Sequence, residues 1–434
     1  IKIVFCRQPS LIFMEENTLF TNDAIVFGLL MLALGFVFYT SSKKEGFWGK
    51  FYKVVPALLM CYLIPAIFNS LGWIDDETSQ LYFVASRYLL PAALVLMTLS
   101  IDLKAIFNLG PKALIMFFAG TIGIVLGGPL AILIMSVISP ETLGGVGADA
   151  IWRGLSTIAG SWIGGGANQA AMLEIYEYNP ELYGGMVLVD IVVANLWMAI
   201  ILMGIGKNDS IDNWLKADNS AIEELKVKVS SYAESVVRNP TLPDFMIMLA
   251  LAFGAVGFAH WGADGMSEYL LANFEIFSDS KSALSSFSSQ FFWMITIATA
   301  IGIVLSFTKM KKYEGAGASK IGSIFIYILV ATIGMKMDLG KIFENPGLLG
   351  IGLIWILIHV IVLITTAKLI KAPYFFLAVG SQANVGGAAS APVVAAAFHP
   401  SLATVGVLLA VFGYVVGTYG AILCTILMQI AAGS

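Results

Sequence analysis

The sequence predicts an all-α polytopic membrane protein with about ten transmembrane helices and two glycine-rich discontinuous or re-entrant elements in an inverted repeat. Three observations support this fold class: an apolar composition, a series of long apolar segments, and motifs that recur in the two halves of the chain. Of the 434 residues, 58% are hydrophobic and 12% are charged. Soluble domains carry about a quarter charged residues, so this chain has too little polar surface to face water on all sides.

The charge balance and the reactive side chains exclude several functions. A net charge of −4 over this length argues against a nucleic-acid partner. The three cysteines supply no disulfide framework, and the scattered His260, His359 and His399 supply no metal site. A bound sodium ion is the one metal ion that we expect. The glycine-rich stretches lack the Lys-Ser/Thr of a nucleotide-binding loop. We therefore expect a protein that is not an enzyme and that needs no cofactor other than sodium.

Ten apolar segments are long enough for membrane-spanning helices, which need about 20 mostly apolar residues. They lie at about 24–40, 52–71, 82–100, 112–137, 184–205, 243–262, 290–307, 319–337, 347–370 and 401–430. Two further apolar segments, at about 150–176 and 373–397, are interrupted by Gly-Gly-Gly at 164–166 and by Gly-Gly at 386–387. Asn and Gln lie beside each interruption, so these two segments are not ordinary spans.

Lys and Arg are concentrated in loops that we assign to the cytoplasmic side. Loops 41–53, 101–112, 206–240, 308–320 and 368–371 hold 17 of the 24 (four, two, five, four and two). These loops share one side only if the first interrupted segment turns back without crossing. The simplest topology has ten spans and two re-entrant hairpins, the first opening outside and the second inside, with both termini outside. An interrupted crossing helix in each half, with one undetected span, is the alternative.

Three sets of motifs recur in the same order in the two halves. Asp-Leu-Lys-Ala-Ile-Phe at 102–107 matches Asp-Leu-Gly-Lys-Ile-Phe at 338–343 in four of six positions. Both interrupted segments contain Gly-Ser followed by Gly-Gly-Ala, and the next apolar segment pairs Trp197 with Tyr419. Together with the opposite sidedness, these matches indicate an inverted internal repeat. Such repeats let transporters expose one midplane site to each side in turn.

The repeat divides the chain into segments. Residues 14–205 form the first repeat and residues 241–434 the second, inverted repeat. The polar stretch 206–240 is predicted to be a cytoplasmic linker with an amphipathic helix around 222–237, a regulatory element being the alternative. Residues 1–13 fit poorly with the rest and are interpreted as an upstream extension.

The two interruptions predict a polar cavity. Unwound backbone is tolerated in lipid only where protein or a water-filled cavity satisfies its N–H and C=O groups. Carboxamides and freed carbonyls suit sodium, whereas the N–H groups at a helix start suit a carboxylate. The predicted solute- or ion-binding residues are Ser161, Gly165, Gly166, Asn168, Gln169, Asp190, Asn195, Ser381, Gln382, Asn384, Gly386 and Gly387. The alternative is that the Asn and Gln side chains only tie the hairpin tips to neighbouring helices.

Charged residues in apolar segments are the remaining candidates. Asp190 lies in an apolar run where a carboxylate is costly, so we predict that it binds a cation or carries a proton. The alternative is a position at the interface, where it snorkels or caps the helix. Arg87 is a candidate contact for a substrate carboxylate, and it could equally pair with Asp190 or Glu174. Glu174 itself is expected to be solvated. Asp102 and Asp338 are expected to cap helices or form turns.

The sequence also resembles a known family. Ser-Arg-Tyr-Leu-Leu-Pro-Ala at 86–92, the segment 99–112 ending in Leu-Gly-Pro-Lys, and Gly-Gly-Pro at 127–129 are similar to the YjcL-like family of bacterial integral membrane proteins, long a domain of unknown function. That family resembles the superfamily of cation/proton antiporters, bile-acid symporters, and glutamate and citrate sodium symporters. The resemblance implies a core domain and a panel domain, an elevator motion, a homodimer and a location in the bacterial inner (plasma) membrane.

The residues and the resemblance together favour a transporter in the lipid bilayer. We expect a cation-coupled secondary transporter, with sodium favoured, of a small carboxylate-bearing or zwitterionic solute. The alternative is a sodium/proton antiporter that uses Asp190. The chain lacks a paired Asp-Asp or Asn-Asp motif in a spanning helix, which argues against pure proton exchange.

Overall fold

The chain folds almost entirely into helices, which confirms the predicted fold class. The computed structural model describes residues 19–52, 55–74, 78–99, 106–218, 222, 239–277, 285–337, 339, 345–399 and 402–433. In chain order the helices are α1 (Asp23–Ser41), α2 (Gly46–Phe51), α3 (Ala57–Ser70), α4 (Leu81–Leu99), α5 (Pro111–Ile138), α6 (Ile151–Gly164), α7 (Gly166–Ile175), α8 (Tyr183–Ile205), α9 (Asn208–Leu215), α10 (Leu242–Asn273), α11 (Gln290–Ser306), α12 (Ala318–Gly334), α13 (Gly347–Ile370), α14 (Tyr374–Val385), α15 (Gly387–Phe398) and α16 (Ala403–Ala431). A π-helical turn at Ala85–Leu89 lies within α4.

Each of the ten predicted spans contains a helix, but these helices differ in length. Within the described residues, seven helices are long and apolar enough to cross a membrane: α1, α4, α5, α8, α10, α13 and α16. The other three, α3, α11 and α12, have 14, 17 and 17 residues. A turn of 3-10 helix at Lys309–Ala316 follows α11 at an angle of 97°. Length and composition therefore identify seven spans, or eight if that bent pair counts as one, and not ten.

Both interrupted segments are hairpins. In the first, α6 and α7 pack side by side, and the ends of the hairpin meet where Asn179 N–H donates to the carbonyl of Ala148 over 3.0 Å. In the second, α14 and α15 pack together, and the rings of Phe375 and Phe398 lie 5.4 Å apart at the open end. The re-entrant version of the prediction therefore holds, and the crossing-helix alternative does not.

The two hairpins approach from opposite ends of α8. The open end of the first lies at the start of α8, where Gly154 is in contact with Met186. The open end of the second lies at the end of α8, where the hydroxyl of Tyr374 donates to the carbonyl of Ile201 over 2.8 Å. This is the arrangement that an inverted repeat requires. The proposed repeat boundaries remain predictions.

The helices form two groups that we name by position. The hairpin bundle comprises α5 to α8 and α13 to α16, in which α5 packs on α13 and α6 packs on α16. The flanking bundle comprises α1, α3, α4 and α10 to α12, in which α4 packs on α11 and α12. Contacts between the bundles are fewer and involve mainly α4 and α16, together with α7. The hairpins thus lie in one bundle and face the other.

Small residues on α5 permit its close packing against α13. A Cβ on Gly127 would lie 2.4 Å from Cδ1 of Trp355, and one on Gly123 would lie 2.9 Å from the Cα of His359. The indole nitrogen of Trp355 donates to the carbonyl of Ile124 over 2.8 Å. Apolar surface alone does not favour helix association in lipid, so close packing and interhelical hydrogen bonds hold this pair.

The first part of the predicted linker is ordered against the second hairpin. Asp212 on α9 accepts the backbone N–H of Tyr374 over 2.7 Å, which caps the start of α14. Asp218 accepts from Lys112 over 2.9 Å, and its N–H donates to the carbonyl of Lys371 over 3.1 Å.

The predicted amphipathic helix, apart from Ile222, lies outside the described residues. So do the extension at 1–13, Met14, and most of the repeated motifs at 102–107 and 338–343.

Gly127→Ala is expected to lower the stability of the protein by about 1–3 kcal/mol, because its Cβ would overlap the Trp355 ring. The matched control is Gly28→Ala on α1, where a Cβ would meet nothing within 4 Å. Thermal unfolding of both variants in detergent, followed by tryptophan fluorescence, measures the difference. Equal midpoints for the two variants would contradict the packing described for α5 and α13.

Candidate functional site

The two helix interruptions lie next to each other inside the protein. Gly165 separates α6 from α7 with φ of +79° and ψ of −171°, a conformation that favours glycine. A Cβ on Gly387 would lie 3.9 Å from the Cα of Gly165, so the tips of the hairpins almost touch. Gly165, Gly166, Gly386 and Gly387 are therefore brought together as the sequence predicted.

A cavity of about 550 Å³ lies at the tips. Both hairpins line it, and so do α3, α4 and α12 of the flanking bundle. Its polar lining residues are Ser161, Gln169, Asp190, Asn195, Ser323, Tyr327, Gln382, Ser390 and Tyr414. The apolar part of the lining includes Leu58, Met97, Met198, Ile326 and Val393. The polar chamber expected between the two interruptions is thus present.

Asp190 is held by the first hairpin through three hydrogen bonds. The Ser161 hydroxyl and the Gln169 amide donate to Oδ2 over 2.7 and 3.0 Å, and the Trp162 indole donates to Oδ1 over 2.7 Å. The carboxyl is 6% exposed and lines the cavity. An ionised carboxylate has about four acceptor positions. These bonds therefore leave about one, on Oδ1, for a cation or a proton.

Asp190 does not cap its own helix, because its hydrogen-bond partners are side chains of the first hairpin. Trp162 is a residue of this candidate site that the sequence analysis missed. An indole N–H can only donate, and one that is fully buried needs an acceptor. The sequence offered one signal: Trp162 directly follows Ser161, and the next span contains a single carboxylate, Asp190.

Asn168 and Asn384 do not line the cavity. The Asn168 amide donates to the carbonyl of Tyr414 over 3.2 Å and accepts from the hydroxyl of Thr418 over 2.8 Å. The Asn384 amide donates to the carbonyls of Phe117 and Gly380, and it accepts from the hydroxyl of Thr121 over 2.8 Å. Both side chains are fully buried.

These two amides therefore match the alternative reading, in which they tie the hairpin tips to neighbouring helices. The first hairpin is tied to α16 and the second to α5, in each case through an aromatic carbonyl and a Thr hydroxyl four residues later. That spacing puts carbonyl and hydroxyl on one helix face. The recurrence of aromatic-x-x-x-Thr in α5 and α16 was a signal that sequence reasoning did not use.

Ser381 belongs to a buried hydrogen-bond chain and not to the cavity wall. The Trp197 indole donates to Ser381 Oγ over 2.7 Å, and Ser381 Oγ lies 2.8 Å from Nε2 of His359. Nδ1 of His359 lies 2.9 Å from the carbonyl of Gly120, which can only accept. The chain is satisfied by a neutral imidazole with its proton on Nδ1 and with Nε2 accepting from the serine. His359, which the sequence analysis set aside, thus fixes the second hairpin.

Gln382 lies in the cavity wall with half of its amide unused. Its Oε1 accepts from the hydroxyl of Ser390 over 2.8 Å, across the interruption at Gly386. Its Nε2 has no acceptor among the described residues, although the side chain is 1% exposed. A buried donor without an acceptor costs about 1–3 kcal/mol. A solute oxygen in the cavity would remove that cost.

Asn195 lies on the cavity side of α8, one and a half turns after Asp190. Its Nδ2 donates to the carbonyl of Ile191 over 2.7 Å, and its Oδ1 is the atom left for a donor in the cavity. Asp190 and Asn195 thus present acceptors along α8.

The starts of α7 and α15 add backbone donors. Gly166 and Ala167 begin α7, and Gly387 and Ala388 begin α15, and all four line the cavity. The first N–H groups of a helix have no acceptor within it, and the helix dipole is positive there. Two helix starts therefore direct donors to the same chamber, which suits an anionic group.

Arg87 pairs with Glu174, one of the partners that the sequence left open. The guanidinium of Arg87 and the hydroxyl of Tyr82 both donate to the Glu174 carboxylate. The Glu174 side chain is 8% exposed, so the expectation that it is solvated was wrong. Both residues line a second cavity of about 700 Å³, together with Trp152, Arg153 and Phe291. Arg87 does not line the cavity at the tips.

Comparisons with known proteins identify the family of the chain. The family described as protein of unknown function (DUF819) matches residues 28–430 of the chain. The uncharacterized membrane protein YjcL of Bacillus subtilis (strain 168) is 24% identical over 365 residues, which cover 81% of this chain and 85% of that protein. The resemblance to the YjcL-like family is thereby confirmed. The chain is a multi-pass membrane protein.

Thr418→Val is expected to lower stability by about 1 kcal/mol, because it removes the donor to Asn168 Oδ1 inside the hairpin bundle. Thr365→Val is the control, since its exposed hydroxyl donates only to the carbonyl of Ile361 in its own helix. Unfolding in mixed micelles measures both variants. A Thr418→Val protein as stable as the control would refute the tethering role of Asn168.

Arg87→Gln and Glu174→Gln are expected to be coupled by about 1–3 kcal/mol, because each single change leaves a largely buried charge without its partner. Unfolding free energies of both single variants and of the double variant give the coupling energy. Lys112→Gln and Asp218→Asn form the comparison cycle, because the Asp218 side chain is 58% exposed and that pair is expected to contribute less than 1 kcal/mol. Additive effects at Arg87 and Glu174 would contradict the pairing.

Proposed function

Because this chain belongs to the DUF819 family of membrane proteins, and because its hairpin tips enclose a polar cavity, we propose that it is a cation-coupled secondary transporter. Sodium is the favoured ion. The cargo is a small carboxylate-bearing or zwitterionic solute that binds at the hairpin tips. The single observation that supports this proposal most strongly is the meeting of two hairpins, from opposite ends of α8, at one chamber with a buried carboxylate.

The positions of the two cavities support alternating access. The cavity at the tips extends to Pro56 and Met198, which lie near the Lys/Arg-rich loops 41–53 and 206–240. The second cavity lies at the other end of α7, where it is lined by Leu173, Glu174 and Ile175. Since α7 lies between the two cavities, a solute at the tips has access towards one side at a time. We interpret this arrangement as an inward-facing state.

Movement of the hairpin bundle against the flanking bundle would exchange the two sides. The superfamily suggested by the sequence uses a core and a panel domain in an elevator motion, and the division into hairpin and flanking bundles fits that scheme. The Arg87–Glu174 pair joins α4 of the flanking bundle to α7 of the hairpin bundle. Such a motion would break this pair. A homodimer and location in the bacterial inner membrane are part of the same proposal.

The coupling ion would bind through oxygen atoms near Asp190. The remaining acceptor position on Asp190 Oδ1 gives the site a negatively charged group, which could serve either the ion or a cationic group of the solute. The carbonyls of Ser161 and Gln382 accept from the N–H groups of Gly165 and Gly386, but the last C=O groups after them have no donor within α6 and α14. Both helices end at the chamber. Carboxylate and carbonyl oxygens together suit a hard monovalent cation. Ion binding would also reduce the cost of a charge inside the membrane.

The second candidate is a sodium/proton antiporter that uses Asp190. One observation favours it: among the described lining residues of the cavity, Asp190 has the only ionisable side chain that is charged near neutral pH. One carboxylate that binds either sodium or a proton is sufficient for exchange. In that case no organic solute is required.

Uptake into proteoliposomes distinguishes the two functions. A transporter is expected to accumulate an organic solute when sodium is added outside, and Asp190→Asn is expected to reduce that uptake by at least tenfold because the charged ligand is lost. Asp209→Asn, at the first turn of α9, is the control and should retain uptake. Sodium movement driven by a pH gradient without any organic solute, and lost in Asp190→Asn, would instead establish the antiporter.

A further inference from the structure

We infer that the transported solute is a zwitterion with a small aliphatic side chain, such as an aliphatic α-amino acid, and not a di- or tricarboxylate. The inference rests on the proposed transport function and concerns the same cavity. It follows from the charges in the lining, from the separate positions of donors and acceptors, and from the apolar remainder of the wall.

The charges in the lining disfavour a multivalent anion. No Lys, Arg or His is among the described residues that line the cavity, whereas Asp190 is. A dicarboxylate would bring two negative charges to a site that already has one. Helix starts carry only about half a positive charge each, so they cannot balance that excess. A zwitterion has no net charge, so it does not increase the negative charge of the site.

The donors for a carboxylate lie on the second hairpin. Gln382 Nε2 is the one side-chain amide nitrogen of the lining that lacks an acceptor within the described part of the chain. The N–H groups at Gly387 and Ala388, which start α15, lie five and six residues further along the same tip. An unpaired amide donor beside a helix start matches one carboxylate group. The two observations are independent of each other.

The acceptors for an ammonium group lie on α8. Asp190 Oδ1 has one position left after three hydrogen bonds, and Asn195 has its Oδ1. Both residues belong to the helix against which the first hairpin packs, and not to the second hairpin. Donors and acceptors thus lie on different elements of the cavity wall. A solute that carries both a carboxylate and an ammonium group can engage both.

The rest of the wall suits an aliphatic side chain. Leu58, Met97, Met198, Ile326 and Val393 line the cavity and come from four different helices besides the second hairpin. Met side chains adapt to variable apolar shapes, so more than one aliphatic amino acid can be accommodated. When the ammonium group binds Asp190, sodium is bound by the carbonyl oxygens at the ends of α6 and α14.

The first test compares four probes of similar size on the purified protein in sodium buffer. L-valine carries both groups, 3-methylbutanoate lacks the ammonium, 2-methylpropylamine lacks the carboxylate, and succinate carries two carboxylates. We expect L-valine to raise the unfolding midpoint and to be taken up with sodium. The two single-charge probes should bind at least tenfold more weakly, and succinate should not bind.

The second test examines recognition of the carboxylate and of the ammonium group separately. Gln382→Glu replaces the free donor by a carboxylate of the same size, and it should abolish L-valine binding while retaining 2-methylpropylamine. Asp190→Asn should remove binding of 2-methylpropylamine. Gln80→Glu, in the loop before α4, is the control and should behave as the unaltered protein. Unchanged L-valine binding in Gln382→Glu would contradict the inference.

The remaining outcomes keep this inference apart from the proposed function. Sodium-driven uptake of succinate, with L-valine excluded, would overturn the zwitterion and leave a sodium-coupled transporter in place. Sodium-driven uptake of 3-methylbutanoate equal to that of L-valine would have the same meaning. If L-alanine, L-valine, L-leucine and the other three probes all fail to bind and to accumulate, both the inference and the proposed solute transport are contradicted.

Discussion

The structure depends on one constraint: a backbone that leaves the helical conformation inside lipid must still satisfy its polar groups. Here the two departures from helix are adjacent, since a Cβ added to Gly387 would lie 3.9 Å from the Cα of Gly165, so each hairpin shields the other from lipid. Neither hairpin could be stable alone in hydrocarbon, because its tip would expose N–H and C=O groups. The chamber between them is therefore a consequence of satisfying the backbone, and its polar character comes with it.

Holding the tips in position requires buried polar side chains. Asn168, Asn384 and Ser381 each bond to a helix outside their own hairpin. Buried networks of this kind are stabilising only when every member is paired, and the neutral form of His359 completes one of them. The protein thus separates two uses of polar residues at the same depth. Fully paired ones fix the hairpins, and partly paired ones, such as Gln382, line the chamber.

Sequence reasoning predicted the helices and the interruptions, because apolar length and glycine act locally. It also identified Asp190 from the cost of a carboxylate in an apolar run. It could not separate Asn168 from Gln169, since adjacent residues on a helix point in different directions and only the packing decides which one meets the cavity. The pairing of Arg87 with Glu174 joins residues 87 positions apart, so no local pattern reveals it. The shorter lengths of α3 and α12 likewise depend on where their flanking turns begin.

The contact between Asp212 and the start of α14 bears on how the chain is made. Ribosomes release residues in order, so α9 leaves the ribosome more than 150 positions ahead of Tyr374. During that interval the Asp212 carboxylate has no N–H of Tyr374 to bind, and the mouth of the later hairpin has no counterpart. The early part of the protein therefore carries a docking point for a segment that is not yet synthesised. This contact can form only after Tyr374 has been synthesised, so it joins the two halves of the chain late in assembly.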